Sequence, residues 1–412
     1  MFSNNAVSKL SSSNQTLEVD KSSRMRLLVV NHTSLFGGAE RNLCDLLSRL
    51  PEDQVQVLAV VAPGHGPAVD VMNSLDIRCI DLPVPCFAGK IFSISIISEL
   101  IKWLRFQSKL RKLLIDEKPD LIYANSPHAA IAVELILEKQ KFPLVWQIPD
   151  LIKDSKFNRL ALRRVFQKSG AIIAVSRATA SSIIRLGANP LNVHLVYCGV
   201  ESKDFDLVAE GSVRLRNELG IETNAPVIGM FGQLTQWKGW HVLIEAIPQV
   251  VNIYPDAQFI FVGRAMVNDD KLYVDRLKKR LNSLRIAKNV HWLGFRSDVP
   301  RIMLSCDVIV HASIKPEPLG VVIMEGMAAG KPVICTRGGG TSEMNVNRET
   351  GLIVEPGNHN DLGKAINFLI RHPEIRLQMG NRGRQIADKE FTHEKRVEGY
   401  LRIFNQLIIS KK

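Results

Sequence analysis

The chain has no hydrophobic run approaching the roughly 18 uncharged apolar residues that a membrane-spanning helix requires, and it has no C-x-x-C pair. Its six cysteines (Cys44, Cys79, Cys86, Cys198, Cys306 and Cys335) are scattered without a matching histidine cluster. That pattern excludes a zinc-type site and a disulfide framework, and buried free thiols in a reducing compartment are the expectation. The stretch Met1 to Ser23 is rich in Ser, Asn and Gln and lacks an apolar centre. It is neither a signal peptide nor an anchor, and residues 1–24 are expected to form a disordered tail. Zinc-finger spacing, an aromatic RNP-like strand and a helix-turn-helix are also missing, which sets nucleic acid aside as a partner. A complete G-x-G-x-x-G fingerprint with its acidic ribose partner is absent too, against a nicotinamide-dependent oxidoreductase.

What remains is the composition of an ordinary globular protein, with 46% hydrophobic and 23% charged residues. At 412 residues the chain exceeds one comfortable core, so two domains are expected. The net charge of +12 is uneven, with ten Lys/Arg against two Asp between Lys139 and Arg185. An anionic membrane or phosphorylated substrates are the partners such an excess suits once nucleic acid is set aside.

From Arg26, short β-branched runs alternate with amphipathic stretches, the mark of parallel sheets covered by helices. Strands are expected at Arg26 to Asn31, Val55 to Val61, Asp120 to Ala124, Leu144 to Gln147, Ala171 to Val175 and Val193 to Val196. After a mixed-charge stretch, residues 201–225, a second series runs through Val227 to Phe231, Gln258 to Val262, Val290 to Leu293, Asp307 to His311 and Pro332 to Thr336. The fold class is therefore α/β, with two Rossmann-like domains at residues 25–200 and 226–390 and a closing helix within residues 391–412.

Lys315 to Gly330, K-P-E-P-L-G-V-V-I-M-E-G-M-A-A-G, lies between two of these strands and is followed by Gly338-Gly339-Gly340. A helix entered through Pro318-Leu319-Gly320 would aim unpaired N–H groups and its positive dipole end at a diphosphate-sized space beyond Glu317. Read as one helical face, Glu317 and Glu325 would grip hydroxyls about 12 Å apart, a sugar at one end and a ribose at the other. Two further turns at strand ends suit phosphates. Gly37 and Gly38 in F-G-G-A-E permit close backbone approach and open a helix. Gly232-Gln233-Leu234 and Lys238-Gly239 follow the strand Val227 to Phe231.

Taken together, these motifs resemble the donor site of the retaining glycosyltransferases of family 4, which adopt the GT-B fold with a last helix crossing back to the first domain. The resemblance implies that Lys238 contacts the donor diphosphate, Glu317 the sugar and Glu325 the ribose, with amides near Leu319 and Gly320 holding the distal phosphate. It also implies donor contacts at Gly263 and Arg264, and at Phe295 and Arg296 after Gly294, where backbone reads the nucleobase edge. Glu343 matches a common family glutamate of open role.

There are two departures. Gln233 stands where relatives commonly have Arg, which turns a charge-assisted phosphate bond into a neutral one and leaves more to Lys238 and the helix dipole. Relatives often carry a histidine in the loop after Leu144 to Gln147; here the chain reads W-Q-I-P-D, with Gln147 and Pro149 at the candidate positions and Asp150 retained. His128, in N-S-P-H at another strand end, is the alternative catalytic candidate. Asp204-Phe205-Asp206 is a D-x-D, a metal-binding device elsewhere, but it falls in the linker and reads as a surface turn.

The expectation is a metal-independent, cofactor-free, retaining hexosyltransferase. It would use a UDP- or GDP-linked sugar and a glycan or lipid-linked acceptor, in surface polysaccharide or glycolipid synthesis. A GT-B-fold epimerase or phosphorylase and a non-catalytic nucleotide-sugar binder are the alternatives. A cytoplasmic protein is expected, peripheral at the inner membrane face. For that docking the helix within Ile94 to Leu114 offers Lys102, Arg105, Lys109 and Lys112 on one side and Leu100, Trp103, Leu110 and Leu114 on another. The alternative is a helix that buries its apolar side against the sheet.

Overall fold

Strands covered by helices on both faces need continuous apolar runs, and the runs of this chain pair into two all-parallel sheets. The structure, a computed structural model, describes residues 24–85, 95–137, 142–206 and 215–409. The expected tail, apart from Arg24, lies outside them, as do Cys86 and Ile94.

The first sheet contains β1 (Met25–Val30), β2 (Val55–Ala62), β3 (Cys79–Asp81), β4 (Leu121–Ala124), β5 (Leu144–Ile148), β6 (Ala171–Ala174) and β7 (Val193–Leu195). Their spatial order is β3-β2-β1-β4-β5-β6-β7. The second contains β8 (Val227–Phe231), β9 (Gln258–Val262), β10 (Val290–Gly294), β11 (Val308–His311), β12 (Val333–Thr336) and β13 (Gly351–Val354), in the order β10-β9-β8-β11-β12-β13. Strand order reverses between β1 and β4 and between β8 and β11. In open α/β sheets the crevice beyond the strand C-termini at such a reversal is where ligands bind. The expected strands recur within a residue or two, while β3 and β13 are additions at the sheet edges.

The crossover helix His393–Ile409 buries Tyr400, Ile403 and Phe404 in the same apolar cluster as Met25, Leu27 and Val29 of β1. The chain enters it past Gly199, where an added Cβ would lie 2.6 Å from His393, so only glycine lets the two segments pass. This is the expected GT-B arrangement. The stretch after β7 is less open than its composition suggests: Phe205, Leu215, Ile221 and Ala225 are buried with Val227 in the second core. Asp204 and Asp206 sit in the one-turn helix Lys203–Asp206, and Asp206 accepts from Arg384 at 2.9 Å, so the D-x-D is a surface turn.

Two sequence expectations are corrected here. Leu110 and Leu114 do not face outward: with Phe106 they are buried in the first core, and Gln107 on the same helix, Ser95–Glu117, donates to the Ala132 carbonyl. Among the described side chains of that helix, Ile101, Leu104 and Ile115 are exposed. Gln147 does not face the cleft either. Its amide oxygen accepts hydrogen bonds from the Tyr123 and Tyr400 hydroxyls in the interior, because Tyr400 arrives on the crossover helix.

Candidate active site

Glycines set the floor of the cleft in the second domain. Gly232 ends β8 at φ +134°, and an added Cβ on Gly263, which ends β9, would lie 1.7 Å from the Gly232 carbonyl oxygen. Gly239, at φ +78°, closes the turn Gln236–Lys238 where a Cβ would meet the Ala312 oxygen at 1.9 Å. The backbone of the β8 loop therefore lies against the loop after β11, and Lys238 is carried to Glu317.

There Lys238 Nζ donates to both carboxylate oxygens of Glu317, at 2.8 and 2.9 Å. Ser313 Oγ donates to the same carboxylate at 3.0 Å, and His311 Nε2 lies 3.3 Å from it. Burial pushes the Glu317 carboxyl up, but the hydrogen bond from His311 and the Lys238 charge outweigh it and hold it down at about 2. Glu317 is thus a fixed anion paired with a fixed cation, each side chain at most 15% exposed.

Contrary to the expectation from spacing, Glu317 and Glu325 do not share one helical face. The helix is Val321–Ala328, with Gly320 as its N-cap at φ +90°, so Glu325 stands mid-helix and Glu317 lies in the loop before it. The cause is Pro318, which disfavours helical backbone at the preceding residue. Glu317 instead forms a parallel bridge with Gly339, and its carbonyl accepts from Gly340 N at 2.8 Å. Leu319 is buried in the core beneath the loop, which fixes the backbone at the helix entrance.

The first domain supplies the opposite wall. Gly37 is the N-cap of the helix Gly38–Leu47, and its N–H donates to Glu40 at 3.2 Å. A Cβ added at Gly37 would sit 3.9 Å from Gln233 Nε2, which places the first-domain glycine turn across from the β8 loop. Arg41 Nη1 reaches Glu325 Oε1 at 3.3 Å, across the cleft. Burial pushes the Glu325 carboxyl up and Arg41 partly offsets that. Asp150 is exposed at its surface, yet desolvation by the surrounding protein, with the Glu317 charge, pushes its carboxyl up. His128, on the helix Pro127–Leu137, stacks on His32 with ring centroids 5.2 Å apart. Burial pushes both imidazoles down, and in His32 the charge of His128 adds to it.

Further hydrogen bonds join the domains. Ser176 Oγ donates to the Pro318 carbonyl at 2.5 Å. Glu343 accepts from Arg177 N and Ala178 N, each at 2.7 Å, and so caps the helix Arg177–Arg185 of the other domain. Near the ends of β9 and β10, Arg264 lies over the Phe295 ring at 4.7 Å and Phe295 is 62% exposed, while Arg296 is clamped by Asp298 at 2.6 and 2.7 Å.

Sequence reasoning missed His311, Ser313, Arg41, His32 and the capping role of Glu343. Of these, His311 carried a signal, since it ends an apolar strand at the cleft. Among the described residues no group of three or more His, Cys, Asp or Glu side chains forms a metal cage. The described cysteines are free, and all but the half-buried Cys79 are buried.

The profile described as "Glycosyl transferases group 1" matches residues 213–386, and that of "Glycosyltransferase Family 4" matches residues 36–204. The chain belongs to the group 1 glycosyltransferases. This glycosyltransferase is 26% identical to the lipopolysaccharide core biosynthesis glycosyltransferase LpsE of Rhizobium meliloti, over 92% of this chain and 98% of that one. It is 23% identical to the UDP-Gal:alpha-D-GlcNAc-diphosphoundecaprenol alpha-1,3-galactosyltransferase of Escherichia coli, over 94% and 99%. Anabaena HepE in complex with UDP superimposes with a TM-score of 0.79 at 26% identity, over 94% of this chain and 99% of that one. HepE has also been solved with UDP-glucose.

Proposed function

We propose that the protein is a retaining, metal-independent hexosyltransferase that moves a sugar from a UDP- or GDP-linked donor to a glycan or lipid-linked acceptor. The observation that carries this reading is the Lys238–Glu317 pair, held at the entrance of the helix Val321–Ala328. Glu317 orients the sugar hydroxyls, Glu325 the ribose, and the amides at Leu319 and Gly320 the distal phosphate. Chemistry breaks the bond between the anomeric carbon and the diphosphate oxygen, and forms one from the acceptor oxygen on the same face. The acceptor proton passes to the departing diphosphate, whose charge Lys238 and the helix N-terminus stabilise. Asp150 and His128 stand on the acceptor side, where they orient the attacking hydroxyl.

The pathway follows from the relatives: LpsE is named for lipopolysaccharide core synthesis, and the E. coli enzyme takes a lipid-linked diphosphate sugar. We place this protein in surface polysaccharide or glycolipid synthesis in the cytoplasm, peripheral at the inner membrane face. No helix among the described residues is long and apolar enough to cross a membrane. The docking face we propose includes the helix Lys156–Lys168, where Phe157 and Leu160 are 64% and 74% exposed amid Lys156, Arg163 and Lys168. Ile101, Leu104 and Ile115 add exposed apolar surface on the helix Ser95–Glu117.

The chemistry is tested by proton NMR of the product formed with and without EDTA. The donor's anomeric configuration should be retained and the rate should survive chelation. An inverted product overturns the mechanism, and loss of activity restored by manganese or magnesium overturns metal independence.

A further inference from the structure

A nucleoside diphosphate entering this cleft brings two phosphates, and the cations positioned to meet them differ in how firmly they are held. Lys238 is tied by both Glu317 oxygens and meets the phosphates as half of a neutral pair. Gln233 brings no charge. Arg264 lies over Phe295, and Arg296 is held by two bonds to Asp298.

Arg41 is held differently. Its N–H bonds the Gly37 carbonyl at 3.0 Å, so it stands one helical turn beyond the first-domain glycine turn, and the turn in its place faces Gln233. Its side chain is 57% exposed, and its ion pair with Glu325 is a single 3.3 Å approach. Such a long, open pair is weakly held, whereas guanidinium and phosphate match bidentately. Helical side chains lean towards the helix N-terminus, which carries the Arg41 stem back towards Gly37. Glu325, the partner it would give up, is only 12% exposed and is the carboxylate assigned to the ribose.

We propose that Arg41 is a donor-binding residue that changes partner when the donor enters: ribose hydroxyls take Glu325, and the released guanidinium turns to the diphosphate. The inference rests on the donor-site reading above. It makes the first domain, and not only the second, a contributor of donor charge, and it links closure of the cleft to occupation by a diphosphate rather than a nucleoside.

The test titrates UDP, uridine, GDP and guanosine by calorimetry into the wild-type protein, Arg41→Ala and Arg41→Lys. For the base that the wild type binds, Arg41→Ala should weaken the diphosphate about 10- to 100-fold, the range of one charge-assisted bond. The nucleoside should bind as before or more tightly, because Glu325 is released, and Arg41→Lys should fall between. Two results overturn the proposal. If diphosphate and nucleoside both hold or both tighten in Arg41→Ala, Arg41 merely occupies Glu325. If both weaken together, it supports the wall and not the phosphates. A wild-type protein that binds none of the four contradicts the donor-site reading itself, a result distinct from any Arg41 effect.

Discussion

Glu343 in the second domain caps a helix of the first, accepting Arg177 N–H at 2.7 Å with one carboxylate oxygen and Ala178 N–H at 2.7 Å with the other. The glycine run just before Glu343 presses on the loop that carries Glu317, since Gly340 N bonds the Glu317 carbonyl at 2.8 Å. The Glu343 cap and the donor loop are therefore joined through the backbone. Glu343→Ala should lower kcat for transfer at least about tenfold through loss of closure, while costing only about 0.5–2 kcal/mol of stability as a lost cap. Glu343→Gln, which keeps one acceptor, should fall between. Steady-state kinetics beside urea denaturation separates the two effects. Unchanged kcat in Glu343→Ala would show that the cap has no part in the reaction.

Removing Lys238 leaves Glu317 as a buried anion held by Ser313 and His311 alone. Lys238→Ala should reduce turnover more than 100-fold, and should cost about 2–4 kcal/mol, near the lower range for breaking a buried pair because those two donors remain. Glu325→Ala should weaken nucleotide-sugar binding with the fold retained. Circular dichroism and donor titration check both variants, and wild-type rate and affinity in either would contradict its assignment.

Acid should destabilise the protein in two windows. The Glu317 carboxyl is held at about 2 in the folded chain against 4.5 as an ordinary glutamate, so the unfolded state binds its proton first. Its stabilisation is complete above pH 4.5 and is lost as pH falls towards 2, on the order of 3 kcal/mol. His393, pushed down to about 4 by burial and by Arg49 and Arg396, is neutral when folded. The unfolded chain protonates it from 6.5 downward, so stability falls between pH 6.5 and 4 as well. Urea midpoints at pH 7.5, 5 and 3 should decline at each step, and His393→Gln should flatten the first. An equal slope in that variant would remove His393 from the account.

Much of this was legible before the fold. Continuous β-branched runs such as Val227 to Phe231 and Val308 to His311 mark buried parallel strands, and Gly232, Gly239 and Gly320 mark turns whose positive φ favours glycine. β3 was not legible, because period and burial cannot be read from three residues of which two are half-buried and one is exposed. Glu317 was placed on the helix because spacing was read without the effect of Pro318 on its predecessor. Gln147 was placed at the cleft because its partner Tyr400 lies on the last helix, 253 residues away. Arg41–Glu325 and Ser176–Pro318 escaped for the same reason: local pattern carries no information about which strand ends face one another across a cleft. Leu110 and Leu114 show the limit of amphipathicity, since an apolar stripe reads alike whether a sheet or a membrane covers it.

The membrane face is tested by co-sedimentation with anionic and neutral liposomes at low and high salt. Binding should need the anionic lipid and fall with salt, and Phe157→Ser with Leu160→Ser should reduce it without changing the melting temperature. Equal recovery in the supernatant under all conditions would leave a soluble acceptor.

The most direct test of the central claim, that the cleft between β8, β11 and the first-domain glycine turn is a nucleotide-sugar donor site, is thermal unfolding with UDP-, GDP- and ADP-sugars. A donor that binds only the folded protein stabilises it by about 2.7 kcal/mol at 100 times its Kd, a rise of a few degrees for domains of this size. UDP- or GDP-sugars should raise the melting temperature of the wild type and leave Glu325→Ala and Lys238→Ala nearly unmoved. No shift with any donor, or the same shift in the wild type and both variants, would contradict it.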